Sequence, residues 1–234
     1  MPAALALLRT GEIEVEGRLV DASNATLYCS IAAGEVEARC VYKPVQGERP
    51  LWDFPDGTLA QRELATYLVS EALGWGLVPP TVLRDGPFGP GMVQLWLDVD
   101  ESVDPVALAR SDHPDLRRMV VLDAVVNNSD RKGGHLLPLP GGRVLGVDHG
   151  VTFHCEDKLR TVLWGWRGTP LGDEAVGVLS ELRARLEGDL AVDLARLLTR
   201  AEVRACVARV ERLLTTGRHP EPSPDWPAIP WPPF

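Results

Sequence analysis

The sequence predicts an α+β protein in two parts: a small antiparallel sheet carrying one helix, then a mainly helical part. Three observations carry this. Residues 11–43 show polar–apolar alternation broken by turn clusters, the mark of half-buried strands. A hairpin pattern returns over residues 78–97, after one amphipathic helical stretch. Beyond about residue 103 the apolar residues recur at helical spacing. The division this suggests is 1–98 for the sheet part, 99–219 for the helical part and 220–234 for a tail.

The elements follow in order. Residues 2–9 read as a short helix. Glu12 to Gly17 alternates, Asp21-Ala22-Ser23-Asn24 is a turn cluster, and Thr26 to Ile31 resumes as a strand. Ala33-Gly34 turns into a third strand over Val36 to Lys43, closed by Pro44, which cannot donate to a ladder. After a loop, Thr58-Leu59-Ala60-Gln61 carries the capping-box signature, and a helix is expected to run to Leu73 with Gly74 as its stop. Its apolar residues are Leu64, Ala65, Leu68, Val69 and Ala72. Val78 to Arg84 and Met92 to Leu97 form the hairpin, and the connection between the two parts falls at about 97–103. Helices are expected over 103–110, from 112 or 114 to 126, over 171–187 and over 190–215. A short strand, Arg143 to Val147, and an irregular segment, 149–170, lie between them. The tail has seven prolines in fifteen residues with Trp226 and Trp231, so it is either a strap stapled by its aromatics or a disordered end.

Composition excludes several classes. A net charge of −9 argues against nucleic acid or an anionic membrane as the main partner. No apolar run approaches the length of a membrane span, and residues 2–9 lack the basic start of a signal peptide, so a cytoplasmic protein is expected. The four cysteines (Cys29, Cys40, Cys155, Cys206) are scattered, which favours reduced thiols over a disulfide or zinc framework. Only Lys43, Lys132 and Lys158 are lysine, the other 21 of 24 basic residues being arginine. Where arginine is the default cation, a retained lysine marks a position that wants a compact point charge.

The chemistry concentrates in Val126-Asn127-Asn128-Ser129-Asp130-Arg131-Lys132-Gly133-Gly134-His135 and Gly146-Val147-Asp148-His149-Gly150. These stretches supply an aspartate, a polar residue five positions on, and a second aspartate at a strand end. With Lys43 and Glu63 they resemble the phosphatidylinositol 3-/4-kinase-like branch of the protein-kinase-like fold, including its small bacterial members. That branch has a catalytic loop Asp-Arg-x-x-x-Asn and an Asp-Phe-Gly-type triplet, here Asp130 to His135 and Asp148-His149-Gly150. The resemblance spans residues 15–170 or so and implies a two-lobed kinase fold, ATP as donor, and Mn²⁺ or Mg²⁺.

By this resemblance Lys43, held by Glu63, neutralises nucleotide phosphates, with Glu71 as a competing helix candidate. Ser23 and Asn24 form the phosphate lid, since no glycine-rich loop is present, although a plain turn uses the same residues. Gln94, Leu95 and Trp96 lie against adenine, Leu95 and Trp96 giving backbone hydrogen bonds and apolar contact. Asp130 is the catalytic base, with Asn128 and Lys132 beside it, and His135 and Asp148 are the metal ligands. His135 stands where the branch has asparagine and implies a preference for Mn²⁺ over Mg²⁺. The segment 151–170 is only mildly basic, so a protein serine or threonine, including the chain's own Thr152, Thr161 or Thr169, is favoured over a phosphoinositide as the acceptor. A small-molecule hydroxyl, a catalytically inactive regulatory module, and a metal hydrolase built on His149, His154 and Cys155 stay open as alternatives.

Overall fold

The computed structural model describes residues 2–19 and 24–234, which form an antiparallel-sheet lobe and a helical lobe. The first holds α1 (Pro2–Thr10), β1 (Glu12–Arg18), β2 (Leu27–Ala33), β3 (Val36–Pro44), α2 (Leu59–Leu73), β4 (Thr81–Gly86) and β5 (Gly89–Leu95). The five strands are antiparallel in the order β1-β2-β3-β5-β4, so β3 pairs with the return strand of the β4–β5 hairpin. The pleat sorts the side chains. Cys29, Ile31, Cys40, Tyr42 and Val93 point to one face and pack with Leu7 and Leu8 of α1. Val41 and Lys43 therefore take the other face, toward the second lobe. Two glycines seat Tyr42: a Cβ on Gly91 or Gly86 would come within 2.5 or 2.8 Å of its ring.

The second lobe holds α3 (Pro105–Ala109), α4 (Pro114–Val126), the hairpin β6 (Leu136–Pro138) and β7 (Val144–Gly146), α5 (Asp173–Leu186), α6 (Asp189–Leu194) and α7 (Arg200–Thr216). α4 is its buried axis, with Leu116, Met119, Leu122, Val125 and Val126 all fully enclosed. At roughly 1.5–3 kcal/mol per enclosed side chain, α4 anchors the lobe, and Leu122→Ala would cost about 2–5 kcal/mol. α2 belongs to the first lobe by connectivity, yet its Ala65, Val69 and Leu73 lie in this same core.

Two expectations about helices are corrected. The long last helix is divided: α6 ends at Leu194, and Thr199 opens α7 with a capping box in which Thr199 and Glu202 cap each other. Thr199-x-x-Glu202 was a readable start signal for a new helix. Conversely, Thr58 makes no side-chain cap on α2, and its hydroxyl donates to Pro55 O. The distant Glu48 caps the helix, its carboxylate accepting from Leu59 N (3.1 Å) and Ala60 N (2.8 Å). A full negative charge on two free amides at a helix N-terminus outcompetes a neutral hydroxyl.

Of the two readings of the tail, the strap holds in part: Trp226 stacks on Trp52, but Trp231 is 85% exposed and the other anchors are backbone carbonyls. Ala228 O accepts from Thr161 N (3.1 Å) and from Trp164 Nε1 (2.8 Å), and Pro233 O accepts from Gly133 N (2.8 Å). The Phe234 ring fills the space a Cβ on Gly133 would need, so the glycine admits the tail onto the loop that bears Asp130.

Candidate functional site

Lys43 stands on the lobe-facing side of β3. Its ammonium donates to Glu63 Oε1 of α2 at 2.6 Å and to Asp148 Oδ1 at 2.8 Å. Burial opposes the charge on Lys43, but Asp148 and Glu63 outweigh it and hold its pKa above the usual lysine range. Lys43 in turn holds Asp148 well below the usual carboxylate range. The other Glu63 oxygen accepts from His149 N at 2.9 Å, so one buried glutamate fixes both the lysine and the backbone just after the second aspartate. Asp148 has φ +60°, a left-handed conformation that costs a non-glycine residue energy and is maintained where surroundings dictate it.

The loop after α4 is built from the inside. Asp123 and Arg131 are fully buried, and Arg131 donates to Asp123 from Nε (2.9 Å) and Nη2 (2.8 Å). Arg131 also reaches Val147 O (3.1 Å), His135 O (3.3 Å) and His149 Nε2 (2.6 Å), binding the two aspartate-bearing segments together. Gly146 makes this possible, because a Cβ there would press on Met119 Sδ and Arg131 Nη1. Burial drives His149 well below the usual histidine range, so it faces the guanidinium as a neutral ring. Asp130 is left facing the cleft, 3.2 Å from Lys132 Nζ. Burial raises its pKa, with Lys132 and His135 opposing and Asp148 adding a smaller push, which makes it a better proton acceptor than a surface carboxylate.

A cavity of about 460 Å³ opens between the lobes and is lined by Asn24, Lys43, Glu63, Asp130 and Asp148, among others. That volume lies within the range of small-molecule sites, roughly 300–1,000 Å³. His135 Nε2 lies 3.4 Å from Asp148 Oδ2. Burial pushes His135 below the usual histidine range, so the ring is neutral; its Nδ1 accepts from Lys132 N at 3.5 Å, and Nε2 is the nitrogen turned toward Asp148. The pair fits a divalent cation that takes its remaining ligands from nucleotide oxygens or water; among the described residues no group of three or more His, Cys, Asp or Glu side chains gathers to hold one alone.

Other expected residues lie elsewhere. Ser23 falls outside the described residues. Asn24 lines the cavity, but its Oδ1 is engaged by Arg49 N at 2.8 Å. Asn128, expected beside the base, is turned inward: its Nδ2 donates to Asp123 and its Oδ1 accepts from Asp130 N, so it supports the loop from beneath. Gln94 is buried and donates to Thr81 Oγ1 at 2.8 Å. Leu95 points to the α1 side of the sheet, since it pairs with Cys40 and packs in that core. The N–H groups of Leu95 and Trp96 are spent on Pro80 O and Arg39 O and cannot donate to a base. Trp96 does share the face of Lys43, edge-on to Tyr28 at 4.9 Å. Glu71 plays no part in the lysine pair, which Glu63 makes. Thr152 and Thr161 are buried, Thr152 donating to His149 O and Thr161 accepting from Leu163 N, so neither is an available acceptor. Nor do His149, His154 and Cys155 form a cluster: His149 is enclosed with Arg131, and Cys155 is exposed.

Sequence reasoning singled out Lys158 as a retained lysine but gave it no place in the cleft and missed its partners there. Lys158 is 3% exposed, donates to Asp53 Oδ2 at 2.8 Å, and lies 4.8 Å from the Trp52 ring and 4.3 Å from the Trp226 ring. Its retention as lysine in an arginine-rich chain was the available signal. Asn127 places it: at φ +55° it closes α4, donates to His154 O and Glu156 O, and accepts from Lys158 N.

No protein-family model matches the chain. It is 46% identical over 264 aligned positions to Protein Rv2133c of Mycobacterium tuberculosis, an alignment covering 98% of this chain and 95% of that one. Among solved structures, the Golgi casein kinase with Mn/ADP bound superposes with a TM-score of 0.63 at 15% identity, covering 92% of this chain and 74% of the other. The Helicobacter pylori proinflammatory kinase CtkA superposes at 0.54 and 12% identity, covering 88% and 92%, and hydra Fam20 with sugar at 0.56 and 14%, covering 91% and 86%. The fold is that of the protein-kinase-like proteins.

Proposed function

We propose that this chain, which belongs to the family of Protein Rv2133c, is a metal-dependent phosphotransferase that moves the terminal phosphoryl group of ATP to a hydroxyl acceptor. The observation that carries this is Lys43, bonded at once to Glu63 and Asp148 in a cavity that also contains Asp130. Phosphoryl transfer needs little covalent help from the protein. It needs phosphate charge neutralised, a metal site, and a base aligned with the acceptor.

The roles divide accordingly. Lys43 meets phosphate oxygens, and Glu63 keeps it extended. His135 and Asp148 would hold the cation, which would supply charge neutralisation at the phosphates. Asp130 orients the acceptor hydroxyl and takes its proton. The acceptor oxygen forms its bond to the terminal phosphorus as the bridging P–O bond breaks, and ADP leaves with that bond's electron pair. Lys132 can meet the charge that builds on Asp130 or on the transferred group. The Mn/ADP-bound state of the Golgi casein kinase supports the choice of nucleotide and metal. The Asp130–His135 and Asp148–Gly150 stretches support a place near the phosphatidylinositol 3-/4-kinase-like branch. Of the chain's own candidate threonines only Thr169 is exposed, so self-phosphorylation has one reachable site among them.

The test is ADP formation from ATP with Mn²⁺, with parallel titration of Mn·ADP binding, for the wild type and Asp148→Ala. Wild-type turnover and binding that the variant loses support the reading. Binding without turnover under any acceptor condition indicates a regulatory module, and absence of binding ends both.

A further inference from the structure

The cavity is lined by four cations, Lys43, Arg49, Lys158 and Arg160, and five acids, Glu48, Asp53, Glu63, Asp130 and Asp148. The acids are engaged. Glu48 caps α2, Asp53 holds Lys158, Glu63 and Asp148 hold Lys43, and Asp130 faces Lys132. Among the described residues the guanidinium groups of Arg49 and Arg160 have no ion-pair partner, and Arg160 Nε is buried without a hydrogen bond. A cavity-lining arginine left unmatched is a site for an anion brought from outside.

The backbone fixes where that anion would lie. Arg160 N donates to Asn128 O at 3.0 Å and Arg160 O accepts from Arg131 N at 3.0 Å, so Arg160 is laced to the residues on either side of Ser129 and Asp130. Outside it stands an aromatic wall. Trp52, from the loop before α2, and Trp226, from the tail, stack with centroids 6.3 Å apart and an interplanar angle of 26°, with the Lys158 ammonium against both rings. Trp52 is 84% exposed and also lines the cavity, which sets it at the rim. The tail that carries Trp226 is fastened at Ala228 and Pro233. The cavity of about 460 Å³ runs from Lys43 past Asp130 to Arg160 and the two tryptophans, a volume in the range of small-molecule sites.

Resting on the phosphotransferase reading, we propose that the acceptor is a small hydroxylated anion bound between Asp130 and the Trp52–Trp226 pair. Arg160 holds its carboxylate or phosphate, and the tail's Trp226 forms the outer wall. The transfer chemistry is unchanged: the acceptor hydroxyl loses its proton to Asp130 and receives the phosphoryl group from ATP.

The test begins with Mn·ADP binding, which judges the underlying reading by itself. The full chain, saturated with Mn·ADP, is then titrated with glycerate, glycerol 3-phosphate and uncharged glycerol, followed by calorimetry and tryptophan fluorescence. At least one anion should bind saturably and glycerol should not; which anion binds tells a carboxylate from a phosphate requirement. Arg160→Gln should weaken that binding at least tenfold with an unchanged unfolding midpoint. Trp226→Ala, which leaves the Lys158–Asp53 pair in place, should weaken it and diminish the fluorescence change. If Mn·ADP binds but neither anion does, or if Arg160→Gln binds the anion as tightly as the wild type, the proposal is overturned while the phosphotransferase reading stands. Phosphate transfer to a serine peptide or to phosphoinositide vesicles in preference to both anions overturns it equally.

Discussion

The Asp123–Arg131 pair is the support under the site, and removing one partner should be costly. Both side chains are fully buried, and Arg131 makes two hydrogen bonds of 2.8–2.9 Å to the carboxylate. Asp123→Asn preserves shape but places an amide N–H₂ where Asp123 accepted from Arg131 and Asn128, leaving a donor facing donors and a guanidinium without its counter-charge. Breaking a buried pair from one side costs ~3–5 kcal/mol, a large part of the roughly 5–15 kcal/mol by which a domain is stable. For a chain of this length that is a fall in melting temperature of about 6–20 °C. Arg131→Met should cost a similar amount, because Asp123 is stranded and the carbonyls of His135 and Val147 lose a donor. The double variant should lose less than the sum of the singles, by up to ~3 kcal/mol, since neither charge is then left alone. Urea unfolding followed by tryptophan fluorescence measures all four corners of the cycle. A loss under about 1 kcal/mol for Asp123→Asn, or strict additivity, would refute the claim that this pair organises the loop.

Further outcomes follow from the same geometry. Asp130→Asn should lower the transfer rate by about 10²–10⁴-fold while affecting nucleotide affinity far less, as measured by turnover and Mn·ADP titration. His135→Asn exchanges an imidazole for an amide oxygen and should lower the ratio of Mn²⁺- to Mg²⁺-supported rates, read by assaying both metals in parallel. Glu48→Ala frees two amides at the start of α2 and should cost roughly 1–2 kcal/mol in urea unfolding, whereas Thr58→Ala should cost little. Burial pushes His219 down to about 4, and its Nδ1 has no partner among the described residues. The unfolded chain therefore takes up this proton first, so stability should be unaffected above about pH 6.5 and should fall progressively from there to about pH 4, with His219→Gln flattening that slope.

What could be read from the sequence divides along physical lines. Alternation over residues 11–43 and the hairpin after 78 located the strands because one face of each packs on α1 while the other faces the cleft. Pattern alone did not assign the faces within β5. Leu95 and Trp96 are neighbours on opposite faces, and their amides are consumed by pairing that only the register reveals. Lys43, Glu63, Asp130, His135 and Asp148 were selectable because each lies near a local signal, such as a strand end, a helix turn or a glycine-flanked loop. The structure brings them to one cleft. Asn128 was misplaced because a polar residue two positions before an aspartate looks alike whether it faces a ligand or a buried Asp–Arg pair. Arg160, Trp52 and Trp226 were out of reach: they come from three distant segments, brought to one cavity by the Asp53–Lys158 pair and by the path of the tail.

The position of Glu63 also depends on how α2 is held. Arg62, the preceding residue, is 1% exposed; it donates to Thr152 O at 2.7 Å and to Glu202 Oε1 at 2.5 Å, and it lies over the Phe54 ring at 4.8 Å. Glu202 is the capping residue of α7, so the helix carrying Glu63 is bolted to the second lobe through a buried ion pair. Swinging α2 outward to break the Lys43–Glu63 bond would also break that pair. The lysine–glutamate–aspartate arrangement is therefore preassembled, on a helix tied to the second lobe at the residue next to Glu63.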